Sequence, residues 1–468
     1  MTSPTRDDLA VVVLAAGLGT RFRSDRAKVM HPVTGRTMLR HVLEALRPLA
    51  LGQVVVVVGH QADAVTKEAE AADLPRLVTV TQDQQRGTGH AARQALPALD
   101  ASIRRVLVLP GDTPLVRPST LERLADADLD TDAVLLSVWL DDPTGYGRLL
   151  HDDAGRVVGI VEETDATDEQ RELRRVNAGM YRFDRQTLAD VLGALDADNV
   201  QGEQYLTDVV GILAERGHTV RTVKADIDEV RGVNDRVELA AAAAVLRRRC
   251  LEELMRSGVT VVDPVTTYVD VGVTVGRDTV LLPGSILQGG TRVGDGATVG
   301  PFTRLVDADV ADGARVEQST VVAATIGPDV SVGPYAYLRP GTRLERGAKA
   351  GTFVEIKNSA VGEGSKVPHL SYVGDATIGD DVNVGAGTVT VNYDGYGKYE
   401  TLIGDRAFIG SDSMLIAPVQ IGDGAVTGAG STITNDVPPD ALGVARARQR
   451  NIEGWAARRR EREEGREP

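Results

Sequence analysis

The chain carries two different hydrophobic patterns, one in each half. In the first half, short and uniformly apolar runs (Leu9–Ala16, Val54–Val58 and Val106–Leu109) are separated by helix-like stretches such as Met38–Leu51. Uniformly apolar strands that alternate with helices favour a parallel sheet covered on both faces. Ligands of such sheets bind beyond the carboxyl ends of the strands, so we expect a site there.

The second half repeats an aliphatic residue every six positions. A hexapeptide repeat predicts a parallel β-helix, in which three hexads form one triangular coil and each aliphatic residue points into the axial stack. The register slips after Leu305 and resumes at Ile326. The repeated positions are Val275, Leu281, Leu287, Val293, Val299, Leu305, Ile326, Val332, Leu338, Leu344, Ile403, Ile409, Leu415, Ile421, Thr427 and Ile433.

Four segments depart from these two patterns. Arg236–Arg256 is rich in Ala, Leu, Arg and Glu and lacks Gly and Pro, which predicts one long linker helix. Val391–Thr401 is too long for a corner and should project as a loop, and Gly364–Tyr372 is interpreted as a second interruption of the repeat. The charged tail Trp455–Pro468 should be a solvated or frayed end.

Composition and charge narrow the function classes. A formal net charge of −15 argues against a nucleic-acid partner, whose binding surface would be basic. The single cysteine, Cys250, excludes an internal disulfide and suits a reducing compartment, so we expect a cytoplasmic protein. The first residues lack the apolar stretch of a signal peptide, and no apolar run is long enough for a membrane segment.

A glycine-rich turn follows the first apolar run. Gly17 and Gly19 let backbone N–H groups approach phosphate oxygens, and Arg21 and Lys28 can neutralise a triphosphate. The same glycines would also serve a plain tight turn, so the motif alone is weak.

Two further segments favour nucleotide chemistry. Gln82, together with Gly87–His90, can contact a nucleobase edge and its ribose. Asp112 ends an apolar run, where a lone carboxylate can bind Mg²⁺ beside substrate phosphates. Asp112 would equally suit a helix N-cap or a turn.

His369 is the candidate for a second chemistry in the repeat region. A sugar amine must lose a proton when it attacks a thioester, and histidine is the natural general base near neutral pH. Asn392 can orient the His369 ring, and Arg339 and Lys357 can bind a sugar phosphate or be solvated surface charges. No nucleophile suits a covalent acetyl-enzyme, so direct transfer is predicted.

Motifs along almost the whole chain resemble a known bacterial family, the bifunctional N-acetylglucosamine-1-phosphate uridyltransferase / glucosamine-1-phosphate acetyltransferases. The segment Leu14–Lys28 resembles the signature of sugar-nucleotide pyrophosphorylases in general. The more specific segments are Gln82 with Gly87–His90, Asp141–Arg148, Ile160–Glu162, Asn177–Gly179, Gln201–Asp208 and Gly232–Asn234.

The resemblance implies the fold class and the domain order. The fold class is α/β, with an N-terminal Rossmann-like nucleotidyltransferase (a mixed, mainly parallel sheet), a linker helix, and a C-terminal left-handed parallel β-helix of hexapeptide repeats. We expect the pyrophosphorylase (uridyltransferase) domain at residues 1–236, the linker helix at 237–257, and the acetyltransferase domain with its tail at 258–468.

The resemblance also implies the two reactions and their partners. Glucosamine-1-phosphate would be acetylated with acetyl-CoA, and the N-acetylglucosamine-1-phosphate formed would receive a uridylyl group from UTP, with Mg²⁺ as cofactor. The product, UDP-N-acetylglucosamine, feeds peptidoglycan and cell-envelope synthesis. The family implies a homotrimer with its acetyl-CoA site shared between subunits.

For the uridyltransferase site, the resemblance implies that Arg21 and Lys28 contact phosphates as catalytic residues and that Asp112 and Asn234 bind Mg²⁺. Leu18 stands where the family often has lysine, which leaves less positive charge beside the triphosphate. The residues implied for UTP and UDP-N-acetylglucosamine are Leu14, Ala15, Ala16, Gly17, Lys28, Gln82, Gly87, Thr88, Pro110, Gly111, Asp112, Gly147, Glu162, Asn177 and Asn234.

For the acetyltransferase site, the resemblance implies His369 as the general base, with Asn392 and Tyr393 beside it. Val391 stands where some relatives have cysteine, so thiol sensitivity is not expected. The residues implied for glucosamine-1-phosphate are Arg339, Lys357, Tyr372, Asn383 and Lys398, and those for acetyl-CoA are Ala386, Asn392, Tyr393, Ser411, Ala429 and Arg446.

Two alternatives stay open. One is a single-activity sugar-1-phosphate nucleotidyltransferase whose β-helix serves only for assembly; the polar set around His369 argues against it. The other is a regulatory scaffold with an inactive transferase fold, against which Lys28, Asp112 and Asn234 argue.

Overall fold

The computed structural model describes residues 6–195, residue 199 and residues 202–464. The chain forms two compact units, Met1–Arg249 and Cys250–Pro468. In those described ranges, none of the helices combines the length and the apolar character needed to cross a membrane.

A mixed sheet forms the centre of the first unit. Its strands and the adjoining hairpin are β1 (Arg6–Ala15), β2 (Pro32–Val33), β3 (Arg36–Thr37), β4 (Leu51–Val58), β5 (Leu77–Thr81), β6 (Arg105–Pro110), β7 (Ala133–Trp139), β8 (Arg148–His151), β9 (Val157–Val161), β10 (Arg175–Asp184) and β11 (Val220–Lys224). The strand order is β11-β7-β10-β6-β1-β4-β5, with β8 pairing both β10 and β9, and β2 pairs only with β3. Strand β1 is parallel to β4 and β6, whereas β10 is antiparallel to β6 and β7. The predicted mixed, mainly parallel sheet is therefore confirmed.

Helices cover the sheet, and short polar side chains cap the N-termini of some of them. They are α1 (Met38–Leu46), α2 (Ala62–Glu70), α3 (Thr88–Ala95), α4 (Pro118–Asp126), α5 (Asp168–Arg171), α6 (Arg185–Leu192), α7 (Asp208–Glu215), α8 (Ile227–Val230) and α9 (Arg236–Arg256), with 3₁₀ turns at Thr20–Phe22, Lys28–Met30, Arg47–Leu49 and Leu96–Ala98. The Thr37 hydroxyl accepts from Arg40 N at the start of α1, and the Asp184 carboxylate accepts from Thr187 N at the start of α6. Successive side chains of β1 enter opposite cores, Val11 and Val13 on one face and Val12 on the other.

The helix predicted at Met38–Leu51 is shorter than expected. It ends at Leu46, and a 3₁₀ turn containing Pro48 follows before Ala50 takes a left-handed conformation with φ +49°. Proline has no N–H to continue the helix, so the chain turns and Leu51 already belongs to β4.

The second unit is a left-handed parallel β-helix with three faces, as the repeat predicts. Face 1 comprises Thr260–Val261, Val280–Leu281, Thr298–Val299, Arg315–Val316, Ser331–Val332, Lys349–Thr352, Lys366–His369, Asn383–Val384, Phe408–Ile409, Val426–Thr427 and Leu442–Gly443. Face 2 comprises Tyr268–Val269, Ile286–Gln288, Arg304–Val306, Thr320–Val322, Tyr337–Leu338, Glu355–Lys357, Tyr372–Gly374, Val389–Val391, Met414–Ile416 and Thr432–Ile433. Face 3 comprises Thr274–Val275, Arg292–Val293, Asp309–Val310, Thr325–Ile326, Arg343–Leu344, Ala360–Val361, Ala376–Ile378, Thr401–Ile403 and Val419–Ile421.

The repeated aliphatic positions form the axial core. Leu281, Leu305, Leu338 and Ile409 have no exposed surface, and Val275 at the end of the stack is partly buried. Across the register slip the strands stay paired, with Arg304 opposite Thr320 on face 2. The slip therefore shortens corners without breaking the sheets.

The interpretation of Gly364–Tyr372 as an interruption is wrong. Val361, Val367 and Val373 keep the six-residue spacing and are buried, and the segment supplies regular strands to faces 1 and 2. Polar residues occupy the outward positions there, which made the repeat look broken in the sequence. The loop predicted at Val391–Thr401 does project, between strands that end at Val391 and begin at Thr401.

The remaining two predictions concern helices. The helix predicted at Arg236–Arg256 forms with those bounds as α9; its residues Ala242 and Leu246 pack beside Phe22 in the first unit, and Leu251 belongs to the core of the second. The tail is solvated as predicted, but Trp455–Glu464 forms a helix, α10, rather than a frayed end. Its Ala, Arg and Glu residues have high helix propensity, and the Arg459 guanidinium lies over the Trp455 ring. Residues 465–468 of that prediction lie outside the described residues.

Candidate active sites

A cavity of about 530 Å³ opens at the carboxyl ends of the central strands of the first unit. Pairing of Leu14 with Pro110 brings the glycine-rich turn after β1 next to the Pro110–Asp112 segment after β6. The predicted residues that line this cavity are Leu14, Ala15, Ala16, Gly17, Lys28, Gln82, Gly87, Thr88, Pro110, Asp112, Glu162 and Asn177.

A second cavity of about 290 Å³ shares walls with the first. Asp112, Glu162 and Asn177 line both cavities, and the second adds Arg21, Gly147 and Asn234. Of the predicted nucleotide and sugar set, Gly111 alone lines neither; its N–H donates to Leu14 O at 2.8 Å and joins the two strand ends. The two cavities therefore gather residues that are spread over more than two hundred positions of the chain.

A cluster of two cations and two oxygen side chains lies where the cavities meet. Lys28 Nζ donates to Asp112 Oδ2 and, at 2.9 Å, to Asn234 Oδ1. Arg21 Nη2 donates to the same Asn234 oxygen at 2.9 Å. The Lys28 and Asp112 side chains are largely buried, at 13% and 21% exposed. Positive charge held in such a cleft attracts phosphate, and the oxygens of Asp112 and Asn234 converge on one cationic position.

The part of the larger cavity that is predicted to hold the nucleobase is fixed by hydrogen bonds of Gln82. Its amide nitrogen donates to Gly87 O at 3.1 Å and to His90 Nδ1 at 2.9 Å. Burial lowers the pKa of His90, so its ring is neutral and can accept. The Gln82 amide oxygen therefore remains as the acceptor at the cavity wall.

Position 87 requires glycine because the backbone of Gln204 approaches it closely. Its φ is +104°, and a Cβ there would lie 2.5 Å from Gln204 O. Gly89 N donates to the same carbonyl at 2.8 Å, which docks the segment after residue 202 against α3. Of the quoted motif Gln201–Asp208, Gln201 lies outside the described residues.

The part of the cavities that is predicted to hold the sugar contains a partly buried acid, Glu162. Burial raises the pKa of Glu162, although the Thr207 hydroxyl donates to it at 3.0 Å. Asn177 Nδ2 donates to the Tyr181 hydroxyl at 2.6 Å, and Asn177 Oδ1 accepts from Gly179 N at 3.1 Å. Acceptors and donors at fixed positions suit the hydroxyl and amide groups of an N-acetylated sugar.

An ion pair between the buried Arg148 and the partly exposed Glu163 joins the segment before Gly147 to the segment after Glu162. Arg148, 1% exposed, donates to the Glu163 carboxylate and to Tyr146 O. Glu163 also accepts from Gly145 N at 2.9 Å, and Arg148 lowers the pKa of Glu163. The pair fixes the residues on either side of Gly147.

Sequence reasoning assigned no role to several wall residues. Tyr181, Leu206 and Thr207 line the larger cavity, and Tyr146 and Glu238 line the smaller one. Leu206 and Thr207 belong to the motif Gln201–Asp208, so the sequence offered a way to find them. Tyr181 is a buried aromatic residue in an ordinary strand, and no sequence pattern marked it.

In the β-helix, three of the six predicted acetyl-CoA residues form one column below His369, whereas Asn392 and Tyr393 lie at another corner. Thr352 pairs with His369 on face 1, and Ala386, Ser411 and Ala429 occupy the same register on the following coils. Asp412 N donates to Ala386 O and Gly430 N to Ser411 O, both at 2.8 Å, which fixes this stacking. The column follows the corner between faces 1 and 2. Arg446 lies just beyond it and is exposed.

The three cations of the predicted sugar-phosphate set, Arg339, Lys357 and Lys398, gather at the other end of face 2. Lys357 follows the register of Arg339 on the next coil, and Arg339 Nη1 donates to Glu355 Oε1 at 2.9 Å. Lys398 approaches Lys357, which lowers the pKa of Lys398. Two adjacent ammonium groups on an exposed face suit a doubly charged phosphate.

Asn383 does not join this cluster. It opens a strand of face 1, opposite Lys366 and Phe408, whereas Arg339 and Lys357 lie at the far edge of face 2. The sequence could not tell on which of the three faces each residue stands.

Within the single chain, Asn392 bonds to Asp375 and not to the His369 ring, so its role in orienting that ring stays a prediction. Asn392 Nδ2 donates to the Asp375 carboxylate, at the corner between faces 2 and 3. His369 ends a face-1 strand at the corner between faces 1 and 2, where it is exposed, and its carbonyl accepts from Ser371 Oγ at 2.7 Å. The Tyr393 hydroxyl donates to Gly395 O at 2.7 Å within its own loop.

Comparison with known proteins supports the fold described for each half of the chain. A family model for MobA-like NTP transferase domains matches residues 11–256, and one for bacterial transferase hexapeptides (six repeats) matches residues 400–435. The proteins called Bifunctional protein GlmU from Streptomyces coelicolor and Thermobifida fusca are 53% and 54% identical, each over 96% of this chain and 94% of its own length. The crystal structure of HddC from Yersinia pseudotuberculosis covers 51% of this chain and 99% of its own at 20% identity and a TM-score of 0.40, too distant to bear on the assignment.

These relatives match nearly the whole chain, so the assignment covers both units together. The chain belongs to the GlmU family of bifunctional uridyltransferase/acetyltransferase enzymes, with a nucleotidyltransferase domain and a hexapeptide-repeat transferase domain.

Proposed function

We propose that this enzyme makes UDP-N-acetylglucosamine from glucosamine-1-phosphate, with acetyl transfer at the β-helix and uridylyl transfer at the cavities of the first unit. The observation that carries the proposal is the pairing of a cationic, two-chamber cavity with a separate His369 column in one chain. The domain limits proposed are 1–236, 237–257 and 258–468, in a cytoplasmic protein.

Uridylyl transfer needs mainly positioning and charge neutralisation. A phosphate oxygen of the sugar phosphate attacks the α-phosphorus of UTP, the new P–O bond forms, and the bond to the bridging oxygen breaks to release pyrophosphate. Arg21 and Lys28 offset the negative charge, and Gln82 and Thr88 hold the uridine. Glu162 and Asn177 hold the N-acetylated sugar at the other end.

Mg²⁺ suits the oxygen pair at the junction of the cavities. Asp112 Oδ2 and Asn234 Oδ1 both contact Lys28 Nζ, so the two oxygens already converge on one cation. Mg²⁺ is commonly held by few protein oxygens together with substrate phosphates. When bound, it would supply further neutralisation of the triphosphate. Lys28 would then exchange its bonds to Asp112 and Asn234 for bonds to phosphate.

Acetyl transfer is proposed to be direct. The amine of glucosamine-1-phosphate attacks the thioester carbonyl, a C–N bond forms, the C–S bond breaks, and CoA leaves as the thiolate that takes up a proton. His369 removes the proton from the attacking nitrogen. Arg339, Lys357 and Lys398 hold the phosphate, and the Ala386, Ser411 and Ala429 column accepts the pantetheine chain.

A homotrimer is proposed because the single chain separates His369 from the phosphate cluster. An exposed apolar ladder borders the His369 column at the corner between faces 1 and 2: Tyr335 and Phe353 stack at 5.4 Å, with Leu370 on the next coil at φ +48°. Large side chains in left-handed conformations are costly and are expected where a partner covers them. Native mass spectrometry that detects only monomers at micromolar concentration would count against the trimer.

One assay tests the proposed function. The protein is incubated with glucosamine-1-phosphate, acetyl-CoA, UTP and Mg²⁺, and we expect free CoA, pyrophosphate and UDP-N-acetylglucosamine. The control supplies N-acetylglucosamine-1-phosphate and omits acetyl-CoA, which should give pyrophosphate and the same product. Pyrophosphate release without CoA release would leave the single-activity nucleotidyltransferase.

A further inference from the structure

Asp375 lies at the corner between faces 2 and 3, inside the proposed sugar-phosphate cluster. Its carboxylate accepts from two amides: Asn358 Nδ2 donates to Oδ1 at 2.6 Å, and Asn392 Nδ2 donates to Oδ2. Both oxygens of one side chain are therefore occupied by neighbouring coils. Sequence motifs assigned Asp375 no role.

Asp375 holds both ends of the loop at residues 392–400. Asn392 is the first residue after a face-2 strand, and its side chain is bound by the Asp375 carboxylate. Thr401 begins the next face-3 strand, and its N–H donates to Asp375 O at 3.1 Å. Tyr399 N donates to Asn392 O at 2.9 Å and closes the neck of the loop.

The same loop carries Lys398 into contact with another cation. The neighbouring Lys357 lowers the pKa of Lys398, so the two ammonium groups repel each other. Burial opposes ionisation of Asp375, but hydrogen bonds from Asn358 and Asn392 and the charges of both lysines outweigh it and hold the pKa of Asp375 below its usual value. Asp375 is thus an anion that offsets the repulsion.

The backbone before Asp375 lets the side chains of this cluster meet. A Cβ on Gly374 would lie 2.4 Å from the Tyr372 hydroxyl and 2.9 Å from Asn392 Nδ2. Because residue 374 is glycine, the Tyr372 hydroxyl and the Asn392 amide can both pack against the backbone there. The Tyr372 hydroxyl and the Asn392 amide therefore pack tightly beside Asp375.

We propose that Asp375 is a positioning residue for acetyl transfer: its carboxylate and carbonyl anchor both ends of the 392–400 loop and hold Lys398 beside Lys357 for the phosphate of the sugar substrate. The inference rests on the proposed acetyl transfer at this site. Without the anchor, repulsion from Lys357 moves Lys398 away, and the loop regains conformational entropy. Asp375 itself does not touch the reacting atoms.

The first test is kinetic. Asp375→Ala should raise the KM for glucosamine-1-phosphate about 10- to 100-fold, the range expected when hydrogen bonds to a charged group are lost. Asp375→Asn keeps one acceptor and should fall between wild type and Asp375→Ala. The KM for acetyl-CoA should rise less than that for glucosamine-1-phosphate, because Ala386, Ser411 and Ala429 form their column at the other corner and only Asn392 and Tyr393 of the acetyl-CoA set belong to the loop.

The chain offers a matched control at the same corner. Asp307 has φ +49°, as Asp375 has, and lies four coils away. Ala323 also occupies this corner, with φ +44°, so alanine is tolerated there. Asp307→Ala should leave both KM values at the wild-type level. Equal rises of the KM for both substrates in Asp375→Ala, or no rise in either, would overturn the proposal.

A second measurement reads the loop directly. Trypsin cleavage after Lys398, followed by mass spectrometry, should be faster in Asp375→Ala than in Asp307→Ala. The kinetic loss from Asp375→Ala should also shrink in an Asn392→Ala background; fully additive losses would sink the link through Asn392.

Failure of the underlying function gives a different result. If the wild-type protein released no CoA with glucosamine-1-phosphate, the proposed acetyl transfer itself would be wrong. If the wild type is active and the Asp375 variants match Asp307→Ala in KM and in cleavage rate, only the role of Asp375 is wrong.

Discussion

The two units assemble their candidate sites by different physical routes. In the first unit, Leu14, Asp112 and Asn234 are far apart in sequence and meet because strands β1 and β6 pair and the chain after α8 returns to their carboxyl ends. In the second, His369 and Ser411 stand in one column because each coil repeats the register of the one before it. The cavity is formed by strand pairing between remote segments, whereas the column is formed by repetition of the same register along the axis of the β-helix.

The cores differ in the same way. The first unit buries bulky aromatic groups such as Phe22, Tyr181 and Phe183 on or beside its sheet. The buried apolar side chains in the described core of the β-helix are Val, Leu, Ile and Ala, since each coil offers a narrow and constant cross-section. This explains why a chain with 4% aromatic residues can still be well packed.

Buried hydroxyls complete the β-helix core. Thr279 Oγ1 donates to Gly294 O at 2.7 Å and accepts from Ala297 N at 3.0 Å, and Ser365 Oγ joins Gly379 O and Val382 N in the same way. Each hydroxyl satisfies a corner carbonyl and an N–H that the regular strands leave unpaired. Side-chain hydroxyls thus help to close corners of the repeat.

The largest expected effect comes from removing the proposed general base, His369, which should impair acetyl transfer and spare uridylyl transfer. His369→Ala should reduce acetyl transfer about 10²- to 10⁴-fold, because general-base catalysis typically contributes that much. CoA release is the measurement, and uridylyl transfer by the same preparation is the control. Near-normal acetylation would refute the assignment of His369.

Asp112→Ala should have the reciprocal effect. Uridylyl transfer should fall about 10²- to 10³-fold, as for the loss of one preorganised electrostatic group, and its dependence on Mg²⁺ should weaken. Pyrophosphate release across a Mg²⁺ titration is measured, with acetyl transfer unchanged. If the Mg²⁺ dependence stayed as in wild type, Asp112 would not be a ligand.

Matched core truncations should sharpen the contrast in packing. Leu107→Ala and Leu305→Ala each remove a fully buried leucine, from the sheet and from the axial stack. Each should cost about 2–5 kcal/mol. Hydrogen exchange should accelerate across the whole first unit in Leu107→Ala but mainly in the coils next to Leu305 in Leu305→Ala, because each coil touches only its neighbours. Uniform acceleration of the β-helix would contradict this picture.

The smallest expected effect is a difference in acid sensitivity. Burial lowers the pKa of His31, His41 and His90 in the first unit below the unfolded value of about 6.5. Their contribution to stability is present above about pH 6.5 and is lost as the pH falls through the folded values. His369, which is exposed, is the one histidine of the β-helix sequence, so amide protection factors should fall more in the first unit than in the β-helix between pH 7 and pH 5.

His41→Gln is the variant that checks the cause of this effect. A glutamine amide can replace the contact between His41 Nε2 and Val33 O at 2.8 Å without titrating near neutral pH. The acid sensitivity of the first unit should then decrease. An unchanged pH profile would show that His41 is not responsible.

Much of the fold could be predicted because its signals are local or periodic. The hexad positions, the helix Arg236–Arg256 and the loop between Val391 and Thr401 stand at the predicted places. Helix propensity and a six-residue spacing act over a few neighbours, so they can be read from the chain directly. The early end of α1 was missed because the apolar pattern continues past Pro48, where the helix cannot. The regular strands around His369 were missed because polar residues at outward positions hide the six-residue spacing.

The sequence by itself determined which residue types are present and in what spacing: the glycine turn after β1, the lone Asp112, His369, and the lysines at 357 and 398. Only the tertiary structure decided which of them meet. It placed Lys28 between Asp112 and Asn234, paired the buried Arg148 with Glu163, turned Asn392 towards Asp375 rather than His369, and put Asn383 on another face. A side chain's partner depends on strand order, coil register and the face it occupies, and those are fixed by packing between segments that are remote in the chain.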